Sequence, residues 1–256
     1  MGTGIRSLEK KWKSASARRV LQMTGAKSVE EAIPKLAEAH LAGVSCPPTD
    51  LDAVRQKLGV GLCESADVIG SAALVKEGGK FTIICAPEMS PQRRRFTIAH
   101  ELGHVIVDAG GRGGPRLGKE LERLCDMLAT EMLMPKQVFL NLASGGIGIP
   151  EIFRLASSFG TSLTTTAIRY AELLPVSAFE VDGSNIVWGK GVVRKGTTRQ
   201  LDYSLRGIVE KALNGTVGDG EVHLNTNGYF RRWTVECHRY GKSRRVLVLM
   251  HLPRQS

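Results

Sequence analysis

The chain has 256 residues, 42% apolar and 23% charged. These ordinary globular proportions exclude a disordered chain and allow one large domain or two to three smaller ones. The longest uncharged runs, such as 137–150, contain Asn, Ser and Gly and fall well short of the roughly 18 apolar residues of a membrane helix. No apolar stretch follows the basic N-terminus, so neither a membrane span nor a secretory leader is expected. The unusual quantity is a net charge of +10, which invites a nucleic-acid reading.

The charge is unevenly spread. Residues 1–27 hold seven Lys and Arg against one acid, and residues 185–256 hold thirteen against five, whereas 28–184 hold fifteen against nineteen. The two ends are basic and the centre is mildly acidic. Cysteines 46, 63, 85, 125 and 237 are odd in number and lack CxxC pairs, which argues against a disulfide framework or a thiolate zinc ribbon. A reducing cytoplasm is the expected setting.

In chain order, a basic arm gives way to a short helix at Ala15–Met23. Ser28-Val-Glu-Glu opens a second helix with a capping box, and Ala32, Leu36, Ala39 and His40 follow at helical spacing up to Gly43. After the Cys46-Pro47-Pro48 connector, Thr49 or Asp50 caps a helix through Leu51, Val54 and Leu58. Gly70–Lys76 and Lys80–Ala86 are predicted strands joined by a Gly78-Gly79 hairpin turn. From Pro91 the pattern is helical, with the basic run Arg93-Arg94-Arg95 read as solvated surface. Five glycines within 109–118 predict a loop, and a second helix is expected at about 119–133. Two helices, Glu151–Phe159 and Leu163–Leu174, flank Gly160-Thr161-Ser162 in a helix-turn-helix outline. Beyond Pro175, strands are predicted at 186–194 and 221–252, with a helix near 203–213.

The chemistry is concentrated in His100-Glu101-Leu102-Gly103-His104. Histidines at i and i+4 project from one helix face and can share a single zinc ion, while Glu101 lies about 100° around the axis, placed to act as a base toward water. From Phe96 to Ile106 no residue outside the motif is charged, as befits a buried helix. Gly103, a poor helix former, suggests close packing there. A catalytic zinc site wants a third protein ligand and an open position. Glu122 on the following helix is the best candidate, with Asp126 one turn on to hold a ligand histidine by its far nitrogen. Glu120, Glu131 and Cys125 are competitors, Glu120 as a carboxylate offsetting the helix dipole and Cys125 as a buried thiol.

FTIAHELGHVIVD followed by ERLCDMLATEMLMP resembles the ImmA/IrrE family of metallo-endopeptidases, whose pattern is HExxH and then a Glu-led helix ending in Leu-Met-Pro. The resemblance covers roughly 45–175. It implies zinc held by His100, His104 and Glu122, with Glu101 as the base, and a protein substrate: a helix-turn-helix repressor whose cleavage switches on stress or mobile-element genes. Where members often have Ala-Asn and Phe-Ala in the Glu-led helix, this chain has Cys125-Asp126 and Leu128-Ala129. Arg169 resembles a family arginine that would polarise the scissile carbonyl. The strand at 80–86 would be an edge strand receiving extended substrate.

The expected fold is therefore α+β. A basic N-terminal arm and helix (1–45) precedes a zincin-like metallopeptidase core (46–147). A helix-turn-helix-like segment (148–184) and a C-terminal α+β accessory or sensor domain (185–256) follow. The alternatives are a DNA-binding transcriptional regulator, or an antitoxin-like binding protein, with a non-catalytic metal site. DNA would be met through the basic termini, where Arg231, Arg232, Arg239, Lys242, Arg244 and Arg245 interleave with Tyr229, Trp233 and Tyr240. The second helix of the helix-turn-helix outline carries one Arg, thin for base and phosphate contacts.

Overall fold

A computed structural model describes residues 12–108, 118–183, 185–191, 203–215, 217–226, 229–240 and 243–253, apart from the side chains of 144, 203, 204, 225, 226, 229 and 230. The N-terminal arm up to residue 11, most of the glycine-rich loop, Lys242 and the ring of Tyr229 lie outside that set. The chain divides into two compact units, Met1–Pro135 and Lys136–Ser256. The boundaries drawn from sequence at 147 and 184 both fall within the second unit.

In the first unit, short polar caps start the helices. Ser14, Ser28 and Asp50 accept backbone N–H bonds at the starts of α1 (Ala15–Thr24), α2 (Val29–Leu41) and α3 (Leu51–Lys57), satisfying donors a helix end leaves free. The capping box of α2 is shifted by one residue: Glu31 accepts from Lys27 N–H at 3.1 Å, one position before the cap. The buried stripe of α2 is Val29, Ala32, Ile33, Leu36 and Ala37, while Ala39, expected on that stripe, is exposed.

The sheet of this unit has the order β1-β3-β2, from β1 (Gly61–Glu64), β2 (Ala72–Glu77) and β3 (Lys80–Cys85). The β2–β3 hairpin turns at Gly78 and Gly79, whose φ angles of 55° and 83° suit glycine at both turn positions. β1, which the alternation did not reveal, pairs in parallel with β3. This corrects one expectation: β3 is hydrogen-bonded on both sides and cannot accept a substrate strand. The edges are β1 and β2.

Helix α4 (Pro91–Asp108) begins with Pro91, where a missing N–H costs nothing, and buries Ile98, Ala99, Leu102, Val105, Ile106 and Val107. In the arginine run at its start, Arg93 is exposed as expected, while Arg94 and Arg95 are partly buried, and all three have partners. Arg93 donates to Ser71 Oγ at 2.7 Å, Arg94 pairs with Glu64 at 2.5 Å, and Arg95 donates to the Thr49 carbonyl at 2.8 Å. The three thus tie α4 to β1, to the residue before β2 and to the connector before α3. Helix α5 (Lys119–Leu133) packs on α4 and buries Leu121, Leu124, Cys125, Leu128, Ala129 and Met132.

The second unit carries α6 (Lys136–Leu142), a 3-10 turn at Ala143–Gly145, α7 (Ile149–Phe159), α8 (Leu163–Leu173), α9 (Tyr203–Asn214) and a five-stranded antiparallel sheet. Its strands are β4 (Val176–Asp182), β5 (Asn185–Lys190), β6 (Val217–Thr226), β7 (Tyr229–Arg239) and β8 (Arg245–His251), in the order β5-β4-β8-β7-β6. Because β4 follows α8 directly and lies between β5 and β8, residues 148–184 and 185–256 share one sheet. On one face, Phe179, Val181, Val235, Val248 and Met250 pack with Leu205, Ile208, Val209 and Ala212 of α9. Gly218 is required there: a Cβ on it would meet the Ile208 carbonyl oxygen at 2.5 Å. Helices α7 and α8 pack with the sheet strands through β7 and β4 respectively, and Phe139 stacks on Phe159 with centroids 5.5 Å apart.

Candidate metal centre

The centre belongs wholly to the first unit and arises from the crossing of α4 and α5. Gly103 makes that crossing close: a Cβ added to it would lie 3.1 Å from Cys125 Cα and 3.3 Å from Cys125 Cβ. Cys125 is fully buried at this contact, the ordinary burial expected for it. With no side chain at Gly103, the residues flanking it on α4 come within reach of those flanking Cys125 on α5.

His100, His104 and Glu122 converge there. The two Nε2 atoms are 3.2 Å apart, His100 Nε2 is 3.2 Å from one Glu122 carboxylate oxygen, and His104 Nε2 is 3.5 Å from the other. Among the described residues this is the one group of three His, Cys, Asp or Glu side chains placed to hold a metal ion. Ligands at about 2.0–2.1 Å from a tetrahedral zinc are separated from one another by about 3.3–3.4 Å. The two histidine nitrogens are separated by about that distance, and each lies about that far from one or the other Glu122 oxygen; two nitrogens and a carboxylate are donors zinc accepts. The residues therefore fit the ion.

His100 is oriented from behind. Its Nδ1 lies 2.9 Å from Asp126 Oδ1, so the Nδ1–H donates to the carboxylate and the Nε2 lone pair faces Glu122 and His104. Burial alone would lower the His100 pKa, but the Asp126 hydrogen bond and the charges of Asp126, Glu101 and Glu122 outweigh it and raise the pKa. Glu101, half-buried on α4, has its carboxyl pKa raised by burial, an effect opposed by His100 and assisted by Glu122. A carboxylate with raised pKa is a better proton acceptor at neutral pH than an exposed one.

The competitors are placed elsewhere. Glu120 accepts backbone hydrogen bonds from Ser14 N–H at 2.7 Å and Lys13 N–H at 3.1 Å, so it does more than offset a dipole. That role was invisible in sequence because its donors lie more than a hundred residues away. Glu131 is buried in the last turns of α5, outside the cluster. Arg169 lies in the second unit, buried on α8, with Glu172 at 3.8 Å.

Four of the C-terminal residues that suggested nucleic acid have partners or a core position within the second unit. Trp233 belongs to the core. Arg232 pairs with Glu221, and Arg245 with Glu180 and Asp182; Arg239 donates to the Leu213 carbonyl. The outline helices are present as α7 and α8, but Thr164, in the first turn of α8, donates to Glu180 at 3.3 Å and lies 3.5 Å from the Tyr240 hydroxyl. That first turn is where a recognition helix would read bases.

Comparison with known proteins agrees with this geometry. The IrrE N-terminal-like domain of the Peptidase M78 family matches residues 57–170, which span both α4 and α5. The radiation response metalloprotease IrrE of Deinococcus radiodurans is 38% identical over 20% of this chain and 19% of its own length. That of Deinococcus deserti is 29% identical over 31% of the chain and 33% of its own. The chain thus aligns with no more than a third of these relatives' length. A solved structure of a Mycobacterium tuberculosis transcriptional regulator shares the fold, with a TM-score of 0.58 at 15% identity, covering 92% of this chain and 79% of that one. Among the described residues no helix is long and apolar enough to cross a membrane. Residues 57–170, with their paired histidines and Glu-led helix, are thus similar to the IrrE N-terminal-like domain of the Peptidase M78 family, and part of the chain resembles the IrrE metalloproteases.

Proposed function

We propose that the chain is a zinc-dependent endopeptidase of the cytoplasm that cleaves a helix-turn-helix transcriptional repressor and so derepresses stress or mobile-element genes. The observation that carries this reading is the convergence of His100, His104 and Glu122: the Nε2 atoms lie 3.2 Å apart, and they stand 3.2 and 3.5 Å from the two Glu122 carboxylate oxygens. The three-stranded sheet packed beside α4 favours a zincin-like core, and α7 and α8 supply a helix-turn-helix-like extension.

His100 and His104 would hold zinc through Nε2, and Glu122 through its carboxylate. Bound there, zinc supplies the Lewis acidity that lowers the pKa of a water and polarises a peptide carbonyl. Glu101 takes the proton of the attacking water on its carboxylate and passes it to the departing amine nitrogen. Asp126 keeps the His100 proton on Nδ1, leaving Nε2 free to ligate. The resemblance to the family supports a helix-turn-helix repressor as the substrate class, cut at an accessible loop or hinge.

The test mixes the purified chain with the repressor encoded beside it, with zinc or with a chelator, and resolves the products on a gel. A repressor fragment that forms with zinc and disappears with chelator is expected, and Glu101→Gln abolishes it while zinc stays bound. Equal cleavage by the zinc-loaded Glu101→Gln variant overturns the mechanism. An intact but shifted complex would mean a binding protein, and salt-dependent duplex binding that survives chelation would mean a DNA-binding regulator.

A further inference from the structure

Helix α5 delivers a metal ligand from its first turn, the part of a helix most prone to fray. Its N-cap is Gly118, which has no side chain to cap with, and the segment before it is rich in glycine. Glu122 itself is partly exposed, its side chain at 43%. Leu121 is buried, yet one apolar anchor does not fix the direction of the carboxylate beside it.

Two further contacts bracket the ligand, and both run to the tripeptide Trp12-Lys13-Ser14. Two positions before Glu122, the Glu120 carboxylate accepts from Ser14 N–H at 2.7 Å and from Lys13 N–H at 3.1 and 3.3 Å. These donors stand at the start of α1, where a carboxylate is also favoured by the helix dipole. One position after Glu122, the Arg123 guanidinium lies over the Trp12 ring, 4.6 Å from its centroid, within cation–π range. The Trp12 indole in turn donates to Glu30 at 3.4 Å, tying the tripeptide to α2.

We propose that Glu120 is a positioning residue which, with Arg123, clamps the first turn of α5 to Trp12-Lys13-Ser14 and so holds Glu122 in place as a metal ligand. The proposal rests on the metal-site reading above. The clamp touches neither metal nor substrate; it acts through the backbone of α5. The N-terminal segment is therefore part of the metal centre's framework.

The experiment measures zinc affinity of the full chain by competition with a chromophoric chelator, and the ligand-field absorption of the cobalt-substituted protein. Glu120→Ala is expected to weaken zinc binding about ten-fold, the lower end of what outer partners of metal ligands contribute, and to alter the cobalt spectrum. Trp12→Ala, which leaves α5 itself untouched, is expected to act in the same direction. Glu120→Gln, retaining one acceptor oxygen, should recover part of the loss, and exposed Lys119→Ala should change nothing. Circular dichroism of the zinc-free variants separates a loosened ligand from a lost fold; if Glu120→Ala does not fold, Trp12→Ala and Glu120→Gln carry the test. Zinc affinity within two-fold of wild type in the folded variants overturns the clamp alone. A wild-type chain that binds no zinc overturns the metal reading and the clamp with it.

Discussion

Gly103 of α4 faces Cys125 of α5 so closely that a side-chain methyl on the glycine would stand 3.1 Å from the Cys125 Cα and 3.4 Å from its carbonyl oxygen. The neighbouring atoms are mostly backbone, which cannot swing aside as a flexible side chain can. The glycine thus sets the spacing of the two helices that carry His100, His104, Glu122 and Asp126.

Gly103→Ala sets two effects against each other. Alanine gains about 1 kcal/mol of helix propensity, while overpacking a close helix crossing costs about 1–3 kcal/mol. We expect a net loss of stability in chemical denaturation, with zinc affinity falling as His100 and His104 move away from Glu122. A variant more stable than wild type, with zinc binding intact, would show that α4 and α5 can separate without cost.

Asp126 is one of the positions at which this chain differs from the pattern it resembles, and it holds His100 from behind. Asp126→Ala is expected to reduce zinc affinity 10–100-fold, with a smaller loss for Asp126→Asn, whose carbonyl oxygen still accepts the Nδ1–H. Competition titration measures both. Equal affinities for wild type and Asp126→Ala would mean that packing alone orients the imidazole.

The centre was legible in sequence because its parts are local. His100 and His104 are one helical turn apart, and Glu122 with Asp126 repeats that spacing one helix later. The Ser28 cap, the cap at Thr49 or Asp50 that the structure assigns to Asp50, and the Gly78-Gly79 turn are equally local signals. What sequence could not reveal depends on partners far along the chain. β1 is four residues long and gains its identity only by parallel pairing with β3, which moved β3 from the edge to the centre. β4 is buried along most of its length, so it shows no alternation of polar and apolar residues. Glu120 looks like any first-turn carboxylate until Lys13 and Ser14 are placed beside it.

Titration of the second unit gives a prediction independent of the metal. Burial pushes the Cys237 thiol up to about 12, against an unperturbed value near 8.5. Burial also pushes the Tyr240 hydroxyl up to about 12, against about 10. Both folded-state values are raised, so above its unfolded pKa each group binds more protons in the native state, and stability falls as pH rises. The decline should begin near pH 8.5–9 at up to about 1.4 kcal/mol per pH unit from Cys237, steepening above pH 10 as Tyr240 joins. Denaturation of wild type and Cys237→Ala across pH 7–11 checks this: the variant loses less stability than wild type between pH 9 and 10. Parallel curves would assign the alkaline loss to other groups.

Thr49 offers the last test, at the far end of α5. It is fully buried, and its hydroxyl donates to the Met132 carbonyl at 2.7 Å, one of the C-terminal carbonyls that a helix cannot satisfy internally. Its own carbonyl accepts from Arg95 of α4, so one residue of the connector ties both helices of the candidate centre. Thr49→Val keeps the shape and removes the donor, leaving a buried carbonyl short of a partner. The expected cost is about 1–3 kcal/mol, read as a lower denaturation midpoint with unchanged slope. Because Thr49 bonds Met132 rather than the first turn of α5, zinc affinity of the folded variant should stay close to wild type. A variant as stable as wild type would mean that the Met132 carbonyl finds another donor.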